Sequence, residues 1–82
     1  MKIKLKLFAT IMHYLPDDAD GHEVMLDVDP SSSAYDIIDS FGIDRCEAYL
    51  VLCDGVYLHE HERVEPLKEG VTIAVWPPVA GG

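Results

Sequence analysis

Positive charge is scarce in this chain. Its 82 residues include 6 Lys or Arg against 15 Asp or Glu, which gives a formal net charge of −9 at pH 7. A surface with this excess of carboxylates repels a phosphate backbone, so nucleic acid is excluded as a partner. Disorder is excluded as well, because 49% of the residues are apolar and only 26% are charged.

Long apolar runs and cysteines are also few. The longest apolar stretch, residues 7–12, is interrupted by Thr10 and is far shorter than the roughly 20 residues of a membrane helix. No signal-peptide pattern follows the N-terminal lysines, so we expect a cytoplasmic protein without a membrane segment. Cys46 and Cys53 are too few for a disulfide framework or a zinc site, and we interpret both as reduced structural thiols.

The length limits what the chain can do alone. A chain of this size buries roughly 60 to 65% of its unfolded surface, enough for one modest core and not for a cofactor-sized cavity as well. We therefore expect one domain with no bound cofactor, and we do not expect a self-contained enzyme.

Period-two alternation predicts two N-terminal strands that pair as a hairpin. Residues 2–7 alternate lysine with aliphatic residues, which places three ammonium groups on a solvated face; contact with an anion or an acidic partner is the alternative role for this row. The alternation extends toward Ala9 and Ile11, and residues 16–21 supply turn chemistry. Residues 22–28 alternate again and form the antiparallel partner.

A capping sequence followed by an apolar stripe predicts one short helix. Ser33 and Asp36 have the spacing of a capping box, and Gly42 can adopt the left-handed conformation that ends a helix. The stripe consists of Ala34, Ile37, Ile38 and Phe41. A helix this short is not stable alone in water, so its stripe is expected to pack on the sheet.

Three more strands are predicted after the helix, over residues 47–53, 56–58 and 71–76. A tight Asp54-Gly55 turn joins the first two, and the charged segment 59–66 is predicted to be a surface connection. The order β-β-α-β-β-β is typical of an α+β protein with the β-grasp (ubiquitin-like) roll, a mixed sheet of four to five strands with one main helix. By analogy with that fold, the first and last strands are expected to be neighbours. We assign residues 1–76 to this domain and residues 77–82 to an extended flexible tail.

The tail carries the pattern that most suggests chemistry. Pro77 and Pro78 stiffen the chain where it leaves the sheet, and Gly81-Gly82 has no side chains, so it can pass through a channel too narrow for a Cβ. The carboxylate of Gly82 is then the reactive group, and it needs activation, most simply as an acyl-adenylate, before a sulfur or amine nucleophile can take the acyl group. The alternative interpretation is a frayed chain end.

The ending VWPPVAGG resembles that of the molybdopterin synthase small subunit (MoaD) and, more broadly, the MoaD/ThiS-type ubiquitin-like sulfur carriers. Weaker matches are residues 5–9 (LKLFA), 50–55 (LVLCDG) and 66–71 (PLKEGV). The resemblance implies that an E1-like enzyme using ATP and Mg adenylates Gly82 and that a sulfur-donor enzyme supplies the sulfur of a thiocarboxylate. It also implies insertion of the tail into the large subunit of molybdopterin synthase, with Gly81, Ala80 and Val79 in the passage.

The resemblance also implies a docking surface. Trp76 occupies the place of an aromatic residue that contacts partners in the family, and Phe8 and Leu58 are candidates for the same apolar patch, beside Pro77 and Pro78. Phe8 is equally compatible with the core. On this interpretation the chain is not catalytic alone; it is a monomer when free and a heteromer at work.

Several alternatives remain open. The sulfur acceptor is a molybdenum or tungsten pterin, the thiazole of thiamine or another molecule, and a ubiquitin-like modifier joined to proteins through Gly82 would use the same activation. His59 and His61 are either a metal-binding pair or part of a solvated loop, and we assign no metal site. Cys46 and Cys53 are alternatively persulfide acceptors.

Overall fold

The computed structural model describes residues 1–78, which form five strands, one α-helix and two 3-10 helices. The strands are β1 (Lys2–Leu7), β2 (Glu23–Asp27), β3 (Leu50–Cys53), β4 (Val56–Tyr57) and β5 (Thr72–Trp76), and the helix is α1 (Ala34–Ser40). The 3-10 helices are Ala9–Tyr14 and Glu60–Glu62. The predicted order β-β-α-β-β-β is confirmed.

The strands form one mixed sheet in the order β2-β1-β5-β3-β4. β1 pairs antiparallel with β2 and parallel with β5, so the first and last strands are neighbours, as predicted. β3 pairs antiparallel with both β5 and β4. β5 therefore lies in the middle of the sheet, with a partner on each side along its length.

The core lies on the face of the sheet that α1 covers, called here the inner face. It is built by the alternation in the strands, since Ile3, Leu5 and Leu7 of β1 are fully buried. The helix contributes the predicted stripe, in which Ile37 and Ile38 are buried and Phe41 packs against the core. Each large aliphatic side chain removed from water contributes about 1.5–3 kcal/mol, so this face accounts for much of the stability.

The predicted capping box begins α1. The Ser33 hydroxyl accepts a hydrogen bond from the Asp36 N–H (3.2 Å), and the Asp36 carboxylate accepts one from the Ser33 N–H (2.9 Å). Gly42 follows the helix with φ +75°, in the left-handed region where a residue with a Cβ is strained. Both ends of the helix are thus fixed by local sequence.

The alternation does not continue past Leu7, and the predicted extension of β1 through Ala9 and Ile11 is wrong. Ala9 has φ +55° and begins a 3-10 helix that still buries Ile11. The strand ends here because its partners end. The Leu7 N–H donates to the His22 carbonyl (2.9 Å) just before β2, and the Phe8 N–H donates to the Val75 carbonyl (3.2 Å) near the end of β5.

The later strands are shorter than predicted. β3 begins at Leu50, because the chain from Asp44 to Ala48 is held in turns, such as the bond from the Glu47 N–H to the Asp44 carbonyl (2.8 Å). The predicted tight turn between β3 and β4 is confirmed, with φ +49° at Asp54 and +85° at Gly55.

The segment 59–66 is mostly exposed, as predicted, with one exception. Arg63 is only 3% exposed, so the prediction of a surface connection is wrong at this residue. The division into a domain of residues 1–76 and a tail of residues 77–82 stays a prediction, because residues 79–82 are not among those described. Within residues 1–78, no helix has the length and apolar character needed to cross a membrane.

Candidate functional site

The site of interest is the place where the chain leaves the sheet at the end of β5. The Trp76 carbonyl accepts from the Tyr49 N–H (3.1 Å) on one side, and the Val75 carbonyl accepts from the Phe8 N–H (3.2 Å) on the other. Pro77 and Pro78 have no N–H and cannot donate to the neighbouring strands. The backbone of β5 is therefore hydrogen-bonded on both sides as far as Trp76, and the prolines mark where this pairing ends.

Aromatic rings stack where β1 and β5 end. The rings of Phe8 and Trp76 are parallel within 3°, with centroids 4.3 Å apart, and His22 stacks on Phe8 at 4.8 Å. These rings lie on the outer face, opposite α1, because side chains alternate along a strand and Leu7 and Val75 are buried in the core. Phe8 therefore does not complete the core, and it packs against Trp76 instead.

An apolar groove of about 440 Å³ lies beside this stack. Its lining residues are Ala9, Thr10, Tyr49, Leu50, Trp76, Pro77 and Pro78. Tyr49 is 67% exposed, so the groove opens widely to solvent. We call Phe8, Tyr49, Leu50, Trp76, Pro77 and Pro78 together the tail-exit surface.

The structure brings together four of the five predicted docking residues. Phe8, Trp76, Pro77 and Pro78 lie on the tail-exit surface. Leu58 is elsewhere: it follows β4 at the edge of the sheet and packs against the core. The remaining predicted site residues, Val79, Ala80, Gly81 and Gly82, lie outside the described residues, so their roles stay predictions.

The lysine row of β1 lies on the outer face, as predicted, and forms ion pairs with two carboxylates of β2. Lys2 is paired with Asp27 (3.2 Å), and Lys4 and Lys6 share Glu23 (3.6 and 3.8 Å). The hydrogen bond and positive charge of Lys2, with the N-terminal ammonium, lower the pKa of Asp27. This face thus presents ion pairs to solvent beside the aromatic stack.

Neither cysteine has the environment of a reactive thiol. A hydrogen bond with Asp44 raises the pKa of the exposed Cys46 thiol, and burial and the charge of Asp54 raise the pKa of Cys53. Both side chains are therefore protonated at neutral pH, and it is the thiolate that accepts sulfur or metal. This favours the structural interpretation over the persulfide one.

The two histidines of the 59–66 segment lie side by side. The rings of His59 and His61 are stacked with centroids 5.8 Å apart, and Tyr57 meets His59 edge-on. Among residues 1–78, no group of three or more His, Cys, Asp or Glu side chains is arranged to hold a metal ion.

Arg63 is the residue that sequence reasoning missed. Its guanidinium group is buried and donates to backbone carbonyls and tyrosine hydroxyls from separate parts of the chain. No local pattern marks such a residue, because its acceptors lie 5 to 28 positions away.

Solved structures with this arrangement of strands and helix are known. The chain is similar to SAMP1 from Haloferax volcanii over 100% of both chains, at 24% identity and a TM-score of 0.69. A Pyrococcus furiosus protein described as a molybdopterin converting factor subunit 1 matches at 20% identity and a TM-score of 0.64, over 95% of this chain and 98% of that one. The chain has the β-grasp fold.

A third β-grasp match comes from an assembly. It is a chain of the complex of subunits 1 and 2 of the molybdopterin-converting factor from Helicobacter pylori. The match covers 100% of the present chain and 100% of the matched chain, at 15% identity and a TM-score of 0.58. No family model and no curated protein matches the sequence. At these identities the likeness establishes the β-grasp fold alone.

Proposed function

We propose that this protein is a sulfur carrier, in which an E1-like enzyme adenylates the Gly82 carboxylate and a sulfur donor converts it to a thiocarboxylate. The sulfur then serves the synthesis of molybdopterin, the pterin of the molybdenum or tungsten cofactor. The protein is the non-catalytic small subunit of a synthase, and its partners supply the catalysis.

The observation that carries the proposal is the chain's exit from the sheet. β5 is held on both sides up to Trp76, and the apolar tail-exit surface surrounds the point where Pro77 and Pro78 leave it. The sequence that follows, VAGG, loses its side chains toward its end. A rigid apolar surface at the base of the tail suits a tail that must enter another protein. Docking of this surface positions the tail, and no residues of the domain have to become ordered on binding.

The chemistry follows from the weakness of a carboxylate as an acylating agent. In the activating enzyme, a Gly82 carboxylate oxygen attacks the α-phosphorus of ATP and pyrophosphate leaves. The acyl-adenylate has AMP as a good leaving group, which the outer sulfur of a cysteine persulfide on the donor enzyme displaces. A thiol then attacks the inner sulfur of the resulting acyl disulfide, so that the Gly82 thiocarboxylate leaves and a disulfide remains on the donor. The pKa values of Cys46 and Cys53 are raised, so neither thiol suits the role of the sulfur nucleophile. The role of this chain is therefore to present the Gly82 carboxyl group to its partners.

The likeness to one subunit of a two-subunit molybdopterin-converting factor supports a large-subunit partner. The net charge of −9 supports partners with basic docking surfaces, because opposite charges steer encounter and fix orientation. The same tail serves the activating enzyme, the donor and the large subunit in turn, so we propose a free monomer that binds them one at a time.

Adenylation is tested by exchange of labelled pyrophosphate into ATP, with an E1-like enzyme that adenylates a molybdopterin synthase small subunit. The wild-type chain is expected to support exchange, and a variant with one residue appended after Gly82 is expected to support none. Equal exchange with both chains would contradict the proposal.

The second candidate is a ubiquitin-like protein modifier, and the likeness to SAMP1, a small archaeal modifier protein, favours it. Here an amine of a target protein displaces AMP and an isopeptide bond forms. High-mass conjugates that disappear when Gly81 and Gly82 are deleted would support this function. Restoration of pterin-dependent enzyme activity in cells that lack the small synthase subunit would support the carrier instead.

A further inference from the structure

Arg63 is a buried cation, and none of its hydrogen-bond partners among residues 1–78 is a carboxylate. It is 3% exposed, and its five hydrogen bonds go to neutral oxygens: the carbonyls of Leu58 (2.9 Å), Ala48 (3.2 Å) and Tyr49 (3.3 Å) and the hydroxyls of Tyr57 (3.3 Å) and Tyr35 (3.5 Å). A buried charge is costly unless all of its donors are satisfied. The planar guanidinium achieves this here with one acceptor for each N–H.

These acceptors lie in three separate segments of the chain. Tyr35 is in α1, Ala48 and Tyr49 precede β3, Tyr57 is the last residue of β4 and Leu58 follows it. The Arg63 carbonyl accepts from the Tyr35 N–H (2.9 Å), which adds a second link to the helix. One residue therefore ties the helix to the beginning of β3 and the end of β4.

Tyr49 connects this cluster to the tail-exit surface. Its carbonyl accepts from Arg63 (3.3 Å), and its N–H donates to the Trp76 carbonyl (3.1 Å), the last carbonyl of β5. Its side chain lines the groove beside Pro77 and Pro78. The chain just before Tyr49 runs in turns rather than in a strand, so the sheet alone does not hold it.

We propose that Arg63 is a positioning residue for the tail: it holds the peptide groups of Ala48 and Tyr49 so that Trp76 and the tail-exit surface keep the geometry that a partner docks on. The consequence for docking depends on the function proposed above. The consequence for Trp76 does not, because it concerns the free protein.

Lysine is expected to be a poor substitute for this arginine. The five acceptors surround a flat fork, whereas a lysine ammonium offers three donors at a single point. Arg63→Lys therefore keeps the charge and loses the bridge between segments. This variant separates the positioning role from a role of the charge alone.

The test uses Trp76, the only tryptophan of the chain, as a probe. Acrylamide quenching of its fluorescence is measured for wild type, Arg63→Lys and Arg63→Met, together with KM and kcat for adenylation by the activating enzyme. Arg45→Met is the matched control, because Arg45 also contacts the Tyr35 ring (4.1 Å to the ring centroid) but is exposed and paired with Asp39. Ile38→Val is the control for stability, because it weakens the core at a fully buried residue that is not a hydrogen-bond partner of Arg63.

Under conditions where each protein is folded by circular dichroism, we expect both Arg63 variants to raise the quenching constant about twofold. We also expect KM to rise about tenfold with kcat little changed, because docking weakens and the partner's chemistry does not. Neither control is expected to change these values. If Arg63→Met does not fold, Arg63→Lys alone decides the outcome.

Wild-type quenching in Arg63→Lys would overturn the inference, as would equal changes in Ile38→Val. If the wild-type chain is not adenylated at all, the proposed function fails. The quenching comparison still decides whether Arg63 positions Trp76.

Discussion

The two faces of the sheet are made by alternate residues of the same strands, and they differ in almost every physical property. The inner face is aliphatic and dry, with Leu5 of β1 and Val75 of β5 fully buried beneath α1. The outer face carries the lysine–carboxylate pairs of β1 and β2 and the stacked rings of Phe8 and Trp76. Folding and the proposed docking therefore depend on neighbouring positions of the same strands, and each can be changed without the other.

The largest effect is expected on the inner face. Leu5→Ala removes a fully buried side chain beneath α1 and should lower the free energy of unfolding by about 2–5 kcal/mol, because it opens a cavity in the core. Urea denaturation followed by circular dichroism measures this loss. The control, Lys4→Ala on the other face of the same strand, should change stability by less than about 0.5 kcal/mol. Similar losses in the two variants would contradict the division between the faces.

A change on the outer face is expected to affect docking more than folding. Trp76→Ala removes the ring stacked on Phe8, a contact worth about 0.5–1.5 kcal/mol beyond the buried area. We expect the protein to remain folded and KM for adenylation to rise about tenfold, as expected when a central interface aromatic is truncated.

Met25→Ala is the matched control for Trp76→Ala. Met25 lies on the outer face in the edge strand β2, separated from β5 by β1, and is 59% exposed. Its removal should leave both stability and KM unchanged. A rise in KM equal to that of Trp76→Ala would mean that docking is not centred on the tail-exit surface.

The smallest effect is expected from the ion pairs. Lys2 and the N-terminal ammonium lower the pKa of Asp27 below its ordinary value of 3.8, so the folded state favours the ionised carboxylate. This contribution to stability is present above pH 3.8 and is lost as the pH falls through the lower, folded-state pKa.

The substitution Asp27→Asn tests whether this contribution to stability is lost as the pH falls. The wild-type protein should be slightly more stable than the variant at neutral pH, and the difference should disappear in acid, as measured by urea denaturation at a series of pH values. A difference that grows as the pH falls would contradict the assigned cause of the pKa shift.

How far the sequence predicts the structure depends on whether the signal is local. The alternation in β1 and the capping box of Ser33 and Asp36 are local, and both predictions were confirmed. Ile11 continues the alternation of β1 and is buried as a strand residue would be, yet it lies in a 3-10 helix, because β1 ends where β2 and β5 no longer pair with it.

The candidate site likewise combines features with a local sequence signal and contacts between residues that are distant in the sequence. Pro77 and Pro78 mark the exit from β5 in the sequence, whereas the pairing of Phe8 with Trp76 depends on the parallel register of β1 and β5. The burial of Arg63 depends on acceptors from α1, β4 and the chain before β3. Such contacts join residues that no spacing rule relates, so the three-dimensional structure was needed to find them.

Formation of a thiocarboxylate at Gly82 is measured as the mass of the chain after reaction with the activating enzyme, ATP and a sulfur donor. Intact-mass spectrometry with fragmentation of the C-terminal peptide should find one oxygen replaced by sulfur, located at the Gly82 carboxyl group. An unchanged mass, with an enzyme preparation that converts another small subunit in the same experiment, would show that this chain is not a sulfur carrier.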